Sequence, residues 1–245
     1  MSITKYEEIK IRTKNNEILW KNIHGIATED TANIMDKAML NWLTELTNTL
    51  EIWINKGLNL TTGELILART NLGSIVEFWL RHFYTAYYED YQNNPITNKN
   101  NVAKNAQKDA SFDELKKFST GILWKDDTDP MYKWVDSIQH KRNAIHSFLY
   151  KEIGTPTEFL NDVDFLLDFI KKIENQLPSI LDCINVIPSG YVDIDGLQKN
   201  SVYVINVRNE NVKVKWDAYY NTCSARSDGE PGEPILVTHD LSAPS

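Results

Sequence analysis

The sequence predicts a mainly α protein: an up-and-down bundle of about five helices, followed by a small C-terminal antiparallel β appendage. Three observations predict it. Apolar residues recur at spacings of three and four over long stretches between residues 25 and 185. Four helix-start signals punctuate those stretches: Thr61 with Glu64, Ser111 with Glu114, Asp129-Pro130, and Thr155-Pro156 with Glu158. After Pro188 the apolar period drops to two, as in Asn211-Val212-Lys213-Val214-Lys215-Trp216. The expected division is an N-terminal arm over 1–24, the bundle over 25–187 and a β-rich region over 188–245.

Residues 1–24 are largely polar, with Ile18, Leu19 and Trp20 as a short apolar patch, which predicts a loose arm or a short helix. Thr28 is placed to cap the first long helix, with Glu29 and Asp30 favouring its dipole. Ile34, Ala38, Trp42, Leu46, Thr49 and Trp53 then run at helical period to Asn55, and Lys56-Gly57 reads as the stop. The second helix runs from the Thr61 cap to about Tyr91 through Leu65, Ala68, Leu72, Val76, Trp79, Leu80, Phe83 and Tyr87. It carries Arg69, Glu77 and Arg81, of which Arg69 and Glu77 either face the motif described below or belong to a solvated face. Its aromatic run (Phe78, Trp79, Phe83, Tyr84, Tyr87, Tyr88, Tyr91) reads as core plus interface, with a dimer seam or a base-stacking surface as alternatives.

Gln92–Ala110 is rich in Asn and Lys and poor in apolar residues, which predicts an exposed or mobile connection. Its Lys99, Lys104 and Lys108 are either solvated or available to nucleic-acid phosphates. Ser111 opens a short helix to about Thr120. Asp129-Pro130 opens the helix that carries Met131–Tyr150. Thr155-Pro156 opens the last helix, which places Phe159, Val163, Leu166, Ile170, Ile173 and Leu177 on one face before Pro178. Farther on, Tyr191–Ile194, Val202–Val207, Asn211–Trp216 and Ile235–Thr238 are strand-like. Arg208-Asn209-Glu210 suits a hairpin turn, and residues 227–234 are turn-forming.

Composition bounds the function. Of 245 residues, 42% are hydrophobic and 24% charged, enough for a sizeable core, and the net charge is −8. That charge argues against a broad footprint for duplex DNA or membrane, though not against a local basic cleft for RNA. Cys183 and Cys223 lack ligand-spaced partners, which predicts a reduced, cytoplasmic protein without a zinc site. Neither a signal peptide nor a transmembrane segment is expected. There is no Gly-rich phosphate loop, and Ser147 lacks a nucleophile-elbow context. His140 and His146 lie on different helix faces, and His24, His82 and His239 have no ligand-spaced partner. No metal site or cofactor is therefore expected.

The stretch that carries chemistry is Met131–Tyr150. Trp134, Ile138, Ile145 and Leu149 mark one helix face. Arg142 falls about 40° and His146 about 75° from the centre of that stripe on an ideal helix. A guanidinium so near the core needs an anion, either a carboxylate such as Glu77 or Asp164, or a bound phosphate.

His140-Lys141-Arg142-Asn143-Ala144-Ile145-His146-Ser147-Phe148, on the penultimate helix of a short bundle, resembles the motif of the HEPN superfamily. Proteins of that superfamily are common in toxin–antitoxin, antiphage and CRISPR systems. The resemblance extends loosely over residues 25–180. Three residues separate Arg142 from His146 where the family usually has at least four; Lys141 to His146 gives four. The resemblance implies metal-independent RNA cleavage in a cleft where two motif helices meet in a homodimer, in a defence setting with an antitoxin or other protein partner. Arg142 would bind the scissile phosphate, His146 would serve as general base or acid, and Asn143 would orient the motif. Lys141, Arg69 and His140 would help bind the substrate. The alternative is a non-catalytic dimeric module for RNA, a nucleotide or a protein. In that case Arg142 pairs with a bundle carboxylate and His146 is an edge histidine.

Overall fold

Helix formation begins earlier than the composition suggests. A computed structural model describes residues 3–24 and 27–178, and beyond them the backbone of 184–186, 202–207, 210–217, 222–226 and 234–236. The first helix, α1, spans Ile3–Lys21 in place of the expected loose arm. It is polar on most sides and is laced by ion pairs three and four residues apart. Lys10 meets Glu7, Arg12 meets Glu8, and Lys14 and Lys21 both meet Glu17. Such pairs support a helix that lacks a broad apolar stripe.

The described residues are mainly helical, with eight α-helices. The chain divides into two units: Met1–Thr13 with Met39–Leu177, and Lys14–Ala38 with Pro178–Ser245.

In the first unit the helices after α1 are α3 (Leu40–Lys56), α4 (Thr62–Ala86), α5 (Tyr88–Asn93), α6 (Phe112–Phe118), α7 (Pro130–Arg142) and α8 (Pro156–Glu174). The core forms around α4, which packs against α3, α7 and α8. Leu72, Val76, Trp79 and Leu80 of α4 are fully buried, as are Phe159, Val163, Leu166 and Ile170 of α8. The start of α1 joins this core through Tyr6 and Ile9. The Tyr6 hydroxyl donates to the carbonyls of Thr47 and Asn48. Burial, reinforced by the Glu51 charge, pushes that phenol up to about 12. Arg12 adds a second tie, donating to Glu8 and, at 2.7 Å, to the buried Glu174 at the end of α8.

Every sequence-marked cap forms. Thr61, Ser111 and Thr155 each accept a backbone N–H three residues on, and Glu64, Glu114 and Glu158 each reach back to the cap's own N–H. Asp129 accepts from the Met131 N–H, ahead of Pro130 at the first helical position. The Glu64 carboxyl is held down to about 2, chiefly by Lys56 and then by the Thr61 N–H. Its folded pKa lies below its unfolded one, so its stabilisation is complete above about pH 4.5 and fades as pH falls toward about 2. Glu64→Gln is therefore expected to narrow the stability gap between neutral and acid pH, measured by urea unfolding across that window. Equal pH dependence in the variant would reject the assignment.

Three expected helix extents need correction. The predicted long helix from Thr28 to Asn55 is two helices: α2 (Glu29–Lys37), capped by Thr28, and α3. Ala38 adopts an extended backbone between them, and its N–H closes the α2 end on the Ile34 and Met35 carbonyls. Trp42 is consequently exposed, while Leu40, Leu43, Thr47 and Leu50 face inward. The helix expected to reach Tyr91 breaks at Tyr87. The Asn/Lys-rich connection is a largely exposed loop, as expected, pinned where Ala106 and Ala110 are buried. The Arg81 guanidinium donates to the carbonyls of both alanines, at 2.7 and 2.8 Å. The aromatic run contributes to the core of this unit, since Trp79, Phe83, Tyr84 and Tyr91 are buried and Tyr84 and Tyr91 stack edge-on against Phe118. The third correction, the end of α7, belongs to the site.

In the second unit, Leu19, Trp20, Ile23, Ala32 and Met35 are buried, and the His24 ring hydrogen-bonds Asp36 at 2.7 Å. Its later segments are β1 (Ile184–Val186), β2 (Val202–Val207), β3 (Glu210–Asp217), β4 (Thr222–Arg226) and β5 (Pro234–Leu236), paired antiparallel in chain order. Val207 lies opposite Glu210 across β2 and β3. The expected turn residues Arg208-Asn209, the strand at Tyr191–Ile194, the turn residues 227–233, and Val237 and Thr238 of the last strand-like stretch lie outside the described residues, as do Cys183 and His239.

Candidate functional site

The motif helix ends within the motif. α7 stops at Arg142, the chain tightens into a 3₁₀ turn over Asn143–His146, and Ser147 is extended. The Asn143 N–H closes the helix on the Gln139 and Lys141 carbonyls. Ile145 and Leu149, placed by their spacing on the apolar stripe, are exposed instead. Two features end the helix here. Asn is a weak helix former, and the chain must turn back by Gly154 to reach the cap of α8.

Arg142 lies across α4. Its Nη2 donates to Glu77 Oε2 at 2.9 Å, and its Nη1 to Asn143 Oδ1 at 3.2 Å. The other Glu77 oxygen takes Arg81 Nη2 at 2.6 Å. One carboxylate thus holds two guanidinium groups, leaving a net positive cluster in which Arg142 keeps about a quarter of its side chain open (28%). The approach is possible because residue 73 has no side chain. A Cβ there would come within 2.5 Å of both Arg142 Cβ and Cγ.

Those two atoms sit next to the α7 backbone, so Gly73→Ala has to push the helices apart. It is expected to destabilise the protein by about 1–3 kcal/mol despite the better helix propensity of Ala. Gly63→Ala, where an added Cβ meets nothing within 4 Å, should be neutral or slightly stabilising. Urea unfolding of both variants checks the contrast. Equal effects would mean that Gly73 does not set the α4–α7 approach.

A second charged cluster joins α4 to α8 and centres on a buried guanidinium. Arg69 is 1% exposed. Its Nε donates to the Ile153 carbonyl at 2.9 Å, its Nη1 pairs with Asp162 of α8, and its Nη2 passes beside Gly154. Gly154 has φ +73 and no Cβ to block that passage. Asp162 also accepts from Trp134 Nε1 at 3.0 Å and lies 3.5 Å from Lys141 Nζ. Arg69 is therefore committed to protein partners rather than open to a substrate. Lys141 is mostly covered at the edge of the same cluster.

The histidines differ. His140 is exposed, and its Nδ1 bonds the Asp136 carbonyl at 2.8 Å. Asp136 in turn holds Lys116, which is buried. His146 is exposed on the 3₁₀ turn, with no hydrogen-bond partner among the described residues. Phe148, Leu149 and Tyr150 follow it, all fully or largely exposed.

The structure thus brings Arg142, Asn143 and Glu77 together, with His146 four residues on, and sets Arg69 and His140 apart from them. Of the carboxylates considered for Arg142, Glu77 is the one it meets. Sequence reasoning missed Asp162 and Gly73. Asp162 sits among other acidic residues of α8 with nothing to distinguish it. Gly73 carries a signal, since a glycine in the middle of a long helix marks a close approach. Among the described residues no three His, Cys, Asp or Glu side chains are grouped to hold a metal ion, and no helix is long and apolar enough to cross a membrane. No protein-family model, curated protein or solved structure matches the chain.

Proposed function

We propose that the chain is a HEPN-like protein acting on RNA as a metal-independent endoribonuclease, with the α7 end as its site and a homodimer as its working form. The observation that carries this reading is the pairing of an anchored, partly open guanidinium with an exposed imidazole within one five-residue segment. Arg142, fixed by Glu77 and Asn143, presents a preorganised donor to a phosphate. His146, exposed on the turn, accepts the ribose 2′-OH proton or protonates the leaving oxygen. Lys141 adds positive charge one residue away. The antiparallel β region is read as an appended docking element, and a defence role with a protein partner is the setting this chemistry suits.

A second reading has its own support. Glu77 already neutralises much of the Arg142 charge, and His146 has no orienting group within the described residues, so a single chain is also suited to binding RNA, a nucleotide or a protein without cleavage.

Incubation of mixed RNA in EDTA with wild type and folded His146→Ala protein separates the two. Cleavage by wild type that falls about 10²–10⁴-fold in the variant supports the enzyme. No cleavage by the dimer at any concentration, with RNA binding retained, supports the module.

A further inference from the structure

Resting on the RNA reading above, we infer that Phe148 and Tyr150 form a stacking platform for unpaired bases beside the Arg142–His146 site. The residues that follow His146 leave the core altogether: Phe148 is 102%, Leu149 77% and Tyr150 87% exposed. Exposed aromatic rings in succession are unusual on a lone soluble surface and mark a binding site.

This tip is braced in place. Ser147 Oγ donates to the Leu149 carbonyl at 2.5 Å, and the Tyr150 hydroxyl donates to Glu152 Oε2 at 2.7 Å. Glu152 Oε1 takes the Gly154 N–H at 2.7 Å. The rings are therefore presented by a hydrogen-bonded turn anchored to the α8 cap.

Charge selects the occupant. Between Asp136 and Glu152 the chain carries Lys141, Arg142 and Lys151 with His140 and His146, and not one carboxylate, in a protein of net charge −8. Cations interleaved with open aromatic rings suit a phosphate backbone with its bases splayed out, and base–aromatic stacking tolerates any sequence. Chain length places the Phe148 Cα within about 7 Å of the His146 Cα. A base on Phe148 therefore lies within about one nucleotide of the group on which His146 acts. A paired base offers no free face, so the platform selects single strands.

The test is fluorescence anisotropy with the full chain. The ligands are a 2′-O-methyl single strand, which lacks the nucleophilic hydroxyl and is not cleaved, and a matched abasic strand with the same phosphates. Wild type is expected to bind the base-bearing strand roughly tenfold more tightly. Phe148→Leu, which keeps an apolar side chain but loses the ring, should drop to the abasic level, and Phe148→Trp should keep the preference. Binding that depends on Arg142 but is unchanged in Phe148→Leu overturns the platform and leaves the RNA reading standing. Absence of binding to either strand removes both. Dimer dissociation in Phe148→Asp with RNA binding intact would assign the tip to a second copy of the chain and overturn the inference.

Discussion

Asp162→Ala is expected to lower stability by about 3–5 kcal/mol, with a fall in Tm on the order of 10 °C. Arg69 is buried, and Asp162 is its charged partner. Truncating the carboxylate leaves a guanidinium out of water with the Ile153 carbonyl and the face of Phe159, whose ring centroid is 5.6 Å from Cζ. Trp134 Nε1 loses its acceptor at the same time. The cost thus comes from the orphaned charge and not from the net worth of the pair. For that reason Arg69→Met with Asp162→Leu should recover most of the loss. Thermal and urea unfolding of the two single variants and the double variant measure this coupling. A loss below about 1 kcal/mol in Asp162→Ala would mean that water replaces the lost partner. The same lock ties the Ile153–Gly154 backbone to α4 and so sets where the turn bearing His146 and Phe148 ends. Asp162→Ala should accordingly loosen that turn as well, seen as faster hydrogen exchange at the Gly154 amide.

The parts of this fold legible in the sequence are those written in local chemistry. A capping box needs only four consecutive residues, so Thr61, Ser111 and Thr155 announce their helices whatever surrounds them. Apolar period is weaker information, because it records which face a helix would bury and not whether anything lies opposite. Ile34, Ala38 and Trp42 keep the period across a point where the helix stops at Ala38. Ile145 and Leu149 keep it beyond Arg142, where no helix remains to present them. The first helix failed in the opposite sense. Among the described residues its apolar contribution to the core of the first unit is Tyr6 and Ile9, and charge pairs that a search for apolar stripes passes over support it. At the site, the need of Arg142 for a carboxylate follows from its position near the core, and Glu77 was one of two candidates. Asp162 was not legible, because a buried ion pair joins residues 93 apart in sequence and leaves no mark on either neighbourhood.

Arg142→Ala separates catalysis from architecture most sharply. On the proposed ribonuclease reading it should reduce RNA cleavage by about 10²–10³-fold, the usual loss when one preorganised donor to developing charge is removed. The accompanying stability loss should stay near 1 kcal/mol, because the Glu77 pair is partly open to solvent and Glu77 keeps Arg81 at 2.6 Å. Part of even that loss is packing, since the Arg142 stem lies against Gly73. Arg142→Met restores the stem without the charge, so it should recover stability but not cleavage. Glu77→Gln works from the other side. It loosens Arg142 and adds about one unit of positive charge, so RNA binding should strengthen and depend more steeply on salt. Cleavage should nevertheless fall, because the guanidinium is no longer held in one place. If instead Arg142→Ala unfolds the protein while Arg142→Met retains full cleavage, the guanidinium serves packing alone. The chemistry would then have to be sought at His146 and the residues a second chain brings to it.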